Sequence, residues 1–102
     1  MDCKVILSPR AIQDLKEIVR YISFNNPRAA QEFGRRLIDA SLSLRSLPER
    51  GRLVPEFKDG ITREIIHGSY RIVYRVRHDQ KVVHVSRFWH AARGMPQIDR
   101  ED

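Results

Sequence analysis

Three arginines stand at alternate positions in Tyr70-Arg71-Ile72-Val73-Tyr74-Arg75-Val76-Arg77, and His84 and Phe88 follow in the next apolar stretch. Alternate residues of an extended strand share a face, so the spacing predicts a row of guanidinium groups. Guanidinium forks take phosphate oxygens in pairs, and an aromatic ring or histidine beside them offers a base a surface to stack on. A solvated strand face that discourages edge pairing would show the same row. The docking reading assigns target contact to Arg71, Arg75 and Arg77, together with His90 and Arg93 where the last apolar stretch runs out.

A second chemistry is open to the same residues. Cleaving RNA through its 2′-hydroxyl needs a base, an acid for the leaving oxygen and a cation for the phosphorane charge. Glu56 or Glu64 could be the base, His90 the acid and Arg71 the cation. No Gly-x-Ser-x-Gly elbow, phosphate-cradling glycine loop or dinucleotide fingerprint is present. His67, His78, His84 and His90 include no helix-spaced pair, and the single Cys3 cannot build a thiolate set, so neither a metal nor a cofactor is expected. Cys3 sits in a short apolar run and reads as packing.

The elements that must position these groups come from the hydrophobic periodicity. Residues 3–7 form a short apolar strand, closed by Ser8 as a helix N-cap and Pro9 at the first helical position. Ile12, Leu15, Ile18, Val19 and Ile22 then recur at helical spacing, with Gln13, Asp14, Lys16, Glu17 and Arg20 on the polar side. Asn26-Pro27 starts a second helix, whose stripe is Ala30, Phe33, Leu37, Ala40, Leu44 and Leu47, ending at Pro48. So short a connector makes the two helices antiparallel. Residues 48–60, punctuated by Pro48, Gly51, Pro55 and Gly60, read as a loop.

From Ile61 the period becomes two. Strands over 61–67, 70–78 and 81–89, joined at Gly68-Ser69 and Asp79-Gln80, form an antiparallel meander. That register sets Val76 opposite Val83, Tyr74 opposite Val85 and Ile72 opposite Arg87, and gathers Arg71, Arg75, Arg77, His84, Ser86 and Phe88 on a wet reverse face. The fold class is α+β: an N-terminal strand, an antiparallel helical hairpin and a three-stranded antiparallel meander, in the order β-α-α-β-β-β. A chain of 102 residues, 41% apolar, suits one domain over 1–95, with a polar, frayed tail over 96–102. The balance of 19 cations against 13 acids leaves +6, and 15 of the cations are arginine. No apolar run reaches the ~20 residues of a membrane helix. The N-terminus does not read as a signal peptide, and one cysteine fits a reducing cytoplasm.

In order along the chain, Leu7-Ser8-Pro9-Arg10-Ala11, Asp14-Leu15, Tyr21-Ile22, Asn26-Pro27, Ala29-Ala30, Pro48, Gly51-Arg52, Arg63-Glu64, Tyr70 to Arg75 and His90-Ala91-Ala92-Arg93 resemble the RelE/ParE superfamily of bacterial type II toxins, nearer its ParE-like branch. The resemblance covers about residues 4 to 93. It implies the same helical hairpin on a sheet, and a cytoplasmic toxin held in a hetero-oligomer by a cognate antitoxin, of the kind tied to plasmid stabilization. ParE-like members poison DNA gyrase, whereas RelE-like members cut messenger RNA on the ribosome. On the RelE side the resemblance places Arg71 at a charge-stabilising arginine, His90 near a C-terminal acid and Glu56 near an acidic loop position. Ala91 stands where those nucleases often carry tyrosine, and the His90-x-x-Arg93 ending is the ParE-like form, in which no catalytic set is expected.

Overall fold

The computed structural model describes residues 2–98. Strand β1 (Lys4–Leu7) leads into helix α1 (Pro9–Ser23), helix α2 (Pro27–Leu42) and a 3-10 turn (Ser43–Arg45). Strands β2 (Arg52–Leu53), β3 (Arg63–His67), β4 (Tyr70–Arg77) and β5 (Val82–His90) follow, and a second 3-10 turn (Ala91–Arg93) closes the series. The caps work as their residue types require: the Ser8 side chain accepts from the Ala11 N–H and that of Asn26 from the Ala29 N–H. No helix of the described residues is long and apolar enough to cross a membrane.

The sheet order is β1-β5-β4-β3-β2. The meander β3-β4-β5 is antiparallel as expected, and β1 lies parallel to β5, pairing Leu7 with Val85. The stretch over 48–60 is not wholly loop, because Arg52 and Leu53 pair with Glu64 and Arg63 as a short edge strand. Helices cover one face of the sheet. Leu37, Leu44, Ile72, Tyr74, Val83 and Val85 form the centre of the core there, fully buried. At Gly34 a Cβ would stand 2.9 Å from Val19 Cγ2, so glycine sets how closely the two helices approach.

Three expectations need correction. The register from Tyr74 to Arg77 is as predicted, but Ser86 is an extra residue, so Val73 faces Arg87 and Ile72 faces Phe88. This bulge exchanges the two sides of β5. Phe88 enters the core instead of the wet face, and Arg87 leaves the position opposite Ile72. An unbroken register would have buried a guanidinium against isoleucine and exposed phenylalanine.

In α1 the inward residues are Ala11, Asp14 and Ile18, while Ile12 is 41% exposed. Asp14 faces inward because Arg87 meets it there: Nε and Nη2 donate to its carboxylate at 2.7 and 2.9 Å, and the Phe88 N–H donates at 3.1 Å. Strand β1 ends at Leu7, so Ser8 and Asp14 take over as partners of β5, Ser8 through its N–H to Val85 O and its hydroxyl to Ser86 O. Leu47, expected in the α2 stripe, lies beyond the helix and is exposed.

The third correction concerns the reverse face, which is not a wet row of cations. Val73 and Trp89 point to that side and are buried with Arg71. The loop carrying Val54 and Glu56 and the segment after the last 3-10 turn supply contacts there. Of the stretch expected to fray, Pro96 is buried and the Gln97 carbonyl accepts from Arg87 Nη1 at 2.7 Å; residues 99–102 lie outside the described residues.

Candidate functional site

Arg71 stands in the middle of the reverse face, and each side of its guanidinium is occupied. Nε donates to Glu64 Oε1, Nη1 to the Gly94 carbonyl at 2.9 Å and Nη2 to Glu56 Oε1 at 3.2 Å. Glu64, fully buried on β3, gives its other oxygen to Arg52 Nε at 2.7 Å. Two arginines thus bracket one buried carboxylate, which suits the cost of burying charge. Burial alone would lower the Arg71 pKa, but its bonds to Glu64 and Glu56 outweigh that and raise it. The bond from Arg71 in turn holds the Glu56 carboxyl below its ordinary value.

The neighbouring groups are also engaged. Arg75 donates from Nε to Thr62 Oγ1 at 3.0 Å and lies 3.8 Å from Asp59 Oδ2. Burial would raise the Asp59 pKa, but the Thr62 hydroxyl and the Thr62 and Ile61 N–H groups donate to it and lower it, with Arg75 adding to the effect. Trp89 Nε1 shares the Gly94 carbonyl with Arg71 at 3.1 Å. Arg93 and Arg87 lie over the Trp89 ring, 4.0 and 4.7 Å from its centroid. Arg77 is exposed at the far end of β4, and His84 is half-buried opposite Arg75.

His90 belongs to the other side of the sheet. It pairs with Tyr70 across the β4-β5 ladder, and their rings meet edge to face at 5.0 Å. Tyr70 packs in turn on Phe33 of α2 at 5.6 Å. Burial pushes the Tyr70 hydroxyl up, with Tyr21 adding to the shift. The His90 Nδ1 accepts from the Ala92 N–H at 3.1 Å.

The sequence-predicted residues therefore divide. Arg71, Glu64 and Glu56 converge in one ionic cluster, but His90 is separated from them by the thickness of the sheet. Arg71, Arg75 and Arg77 share the predicted face, yet only Arg77 presents an exposed side chain. His90 and Arg93 adjoin one another at the opposite end of the strands. Sequence reasoning missed Gly94 and Trp89 as members of the cluster. The available signal was Val73, the one apolar residue among the arginines of its face, which needs something to cover it. Among the described residues no group of His, Cys, Asp and Glu could hold a metal.

The overall fold is shared with solved toxin structures. The chain is 34% identical over 90 residues to Toxin RelE1 of Caulobacter vibrioides, covering 88% of this chain and 95% of that protein. It is 40% identical over 91 residues to Toxin RelE2 of the same organism, covering 88% and 97%. The solved toxin-antitoxin complex RelBE2 of Mycobacterium tuberculosis contains a chain of the same fold, with a TM-score of 0.66 at 20% identity over 88% of this chain and 99% of that one. These relatives define the class, a toxin of the RelE/ParE superfamily. Within it, residues 5–95 match the family described as the ParE toxin of the type II toxin-antitoxin system parDE, and the chain belongs to that family.

Proposed function

We propose that this toxin acts by binding its target, above all DNA gyrase in the cytoplasm, rather than by cutting RNA, and that a cognate antitoxin neutralises it in a hetero-oligomeric complex. The observation that carries the reading is the division of the would-be nuclease set by the sheet. Arg71 has its charge spent on Glu64 and Glu56, of the two base candidates Glu64 is fully buried and Glu56 is bound to Arg71, and His90 faces the helices. A phosphodiester cannot touch a base, an acid and a free cation arranged in that way. The gyrase target is what the ParE-like resemblance implies, and the antitoxin follows from the family and from the RelBE2 assembly of a structural neighbour.

The decisive comparison uses the purified chain freed of any antitoxin. Gyrase-dependent DNA breaks or loss of supercoiling, with translated messenger RNA left intact, is the expected result. The competing reading is a ribosome-dependent endoribonuclease, and relatives bearing the RelE name keep it in play. Cleavage of ribosome-bound message alongside an inert supercoiling assay would replace the gyrase reading with that one. Silence in both assays, with harmless expression, would leave a module that only binds antitoxin.

A further inference from the structure

Helix α1 and the last residues of β5 border an open surface pocket of about 280 Å³ on the helix side of the sheet. Asp14, Glu17 and Tyr21 line it from the helix, and Tyr70, His90 and Arg93 from the sheet and the turn beyond. Its hydrogen-bonding capacity is lopsided. Asp14 is largely engaged, its carboxylate accepting from Arg87 twice and from the Phe88 N–H. Because the His90 Nδ1 accepts from Ala92, the neutral ring must carry its proton on Nε2, which makes that atom a donor. Tyr70 and Tyr21 bring hydroxyls. Arg93 has no carboxylate partner among the described residues, and its guanidinium lies on the face of Trp89. Glu17, which already takes the Gln13 amide, stands on the exposed side.

With the Asp14 charge met by Arg87 and Glu17 out at the exposed rim, the Arg93 cation, the neutral donors and the aromatic walls suit a single carboxylate. A nucleic acid is a poorer match, since phosphate backbones are held by several cations at once. The surroundings favour a polypeptide as the carrier. Tyr21 is 75% exposed and Phe24, three residues on, is 82% exposed, so a bare apolar landing lies along α1 beside the pocket.

We propose that this pocket receives one Asp or Glu side chain presented by a polypeptide partner whose apolar flanks rest on Tyr21 and Phe24. The inference is independent of whether gyrase or the ribosome is the toxin's target.

The test is an NMR titration of the full chain with the acetylated, amidated pentapeptide Ser-Leu-Glu-Leu-Ser. The same peptide with Gln or Lys at the centre, and a uridine hexanucleotide, are the comparisons. The Glu peptide should shift the His90 ring and Arg93 Nε–H signals to saturation. The Gln peptide, and Arg93→Gln with the Glu peptide, should each bind about tenfold more weakly, the difference made by a charged hydrogen bond. The rest of the spectrum reports that the variant is folded. Equal or tighter binding of the Lys peptide, preferential binding of the hexanucleotide, or the absence of shifts at His90 and Arg93 would overturn the proposal. So would movement of the His90 signals, without peptide, on changing Asp99, Glu101 and Asp102 to their amides, since the chain's own end would then be the occupant.

Discussion

Arg71 illustrates how far a residue's neighbours decide what its charge can do. Its spacing on β4 suggested an exposed phosphate ligand, yet Glu64, Glu56 and the Gly94 carbonyl consume its donors. Arg71→Ala should lower unfolding stability by about 3–5 kcal/mol, because it strands the buried Glu64 carboxylate with Arg52 alone; chemical denaturation measures this. Arg77 is the contrast. Exposed at the strand end, Arg77→Ala should change stability by less than about 0.5 kcal/mol, and reduced toxicity at an unchanged unfolding midpoint would mark it as part of the docking surface. The carboxylates also set a pH response. Glu56 and Asp59 have folded pKa values lowered from 4.5 and 3.8, so their contribution is complete above those values and is lost as pH falls through the lowered ones. Glu56→Gln with Asp59→Asn should flatten the acid limb of a stability-pH curve while leaving the limb above neutrality unchanged.

At the scale of elements, the joint between α1 and β5 is where the fold is most specified. Strand β1 is too short to cover β5, and with the bulge at Ser86 Arg87 meets Asp14 of α1. Asp14→Ala should cost about 3–5 kcal/mol by leaving Arg87 buried without its partner. Asp14→Leu combined with Arg87→Met should recover most of that loss, and a double-mutant cycle reads the coupling. The bulge itself was legible in retrospect. Val83 and Val85 keep a period of two, but the next core residue is Phe88, and an odd step in an alternating strand needs an extra residue. The edge strand β2 was not legible, since two residues carry no period. It depends on Gly51 before it, where a Cβ would stand 2.5 Å from the Glu64 carbonyl and 2.6 Å from the Tyr74 hydroxyl.

For the molecule as a whole, the sheet has two covered faces rather than one. Helices bury one side, while the loop after β2 and the segment beyond Arg93 bury Val73, Trp89 and Arg71 on the other. The stretch over 94–98 thus packs on the sheet. Ending the chain after Arg93 removes the carbonyl that both Arg71 and Trp89 use, and should destabilise the protein by about 3 kcal/mol and increase binding of an apolar dye to the bared face. The net charge of +6 overstates the free cationic surface, because several arginines serve internal carboxylates. Arg93, spread over an indole, remains a cation with no carboxylate of its own among the described residues.

Local chemistry was enough to determine the caps at Ser8 and Asn26, the two helices, the meander and the register at its turn end, because each rests on spacing or on a side chain bonding its near neighbours. Which arginines face water was settled only in three dimensions. Glu64 lies 7 residues from Arg71, Gly94 lies 23 away and Asp14 lies 73 from Arg87. No periodicity encodes such separations. Burying a guanidinium is favourable only when the folded chain brings a carboxylate to it, so the function of each arginine was decided by packing rather than by its place in a pattern.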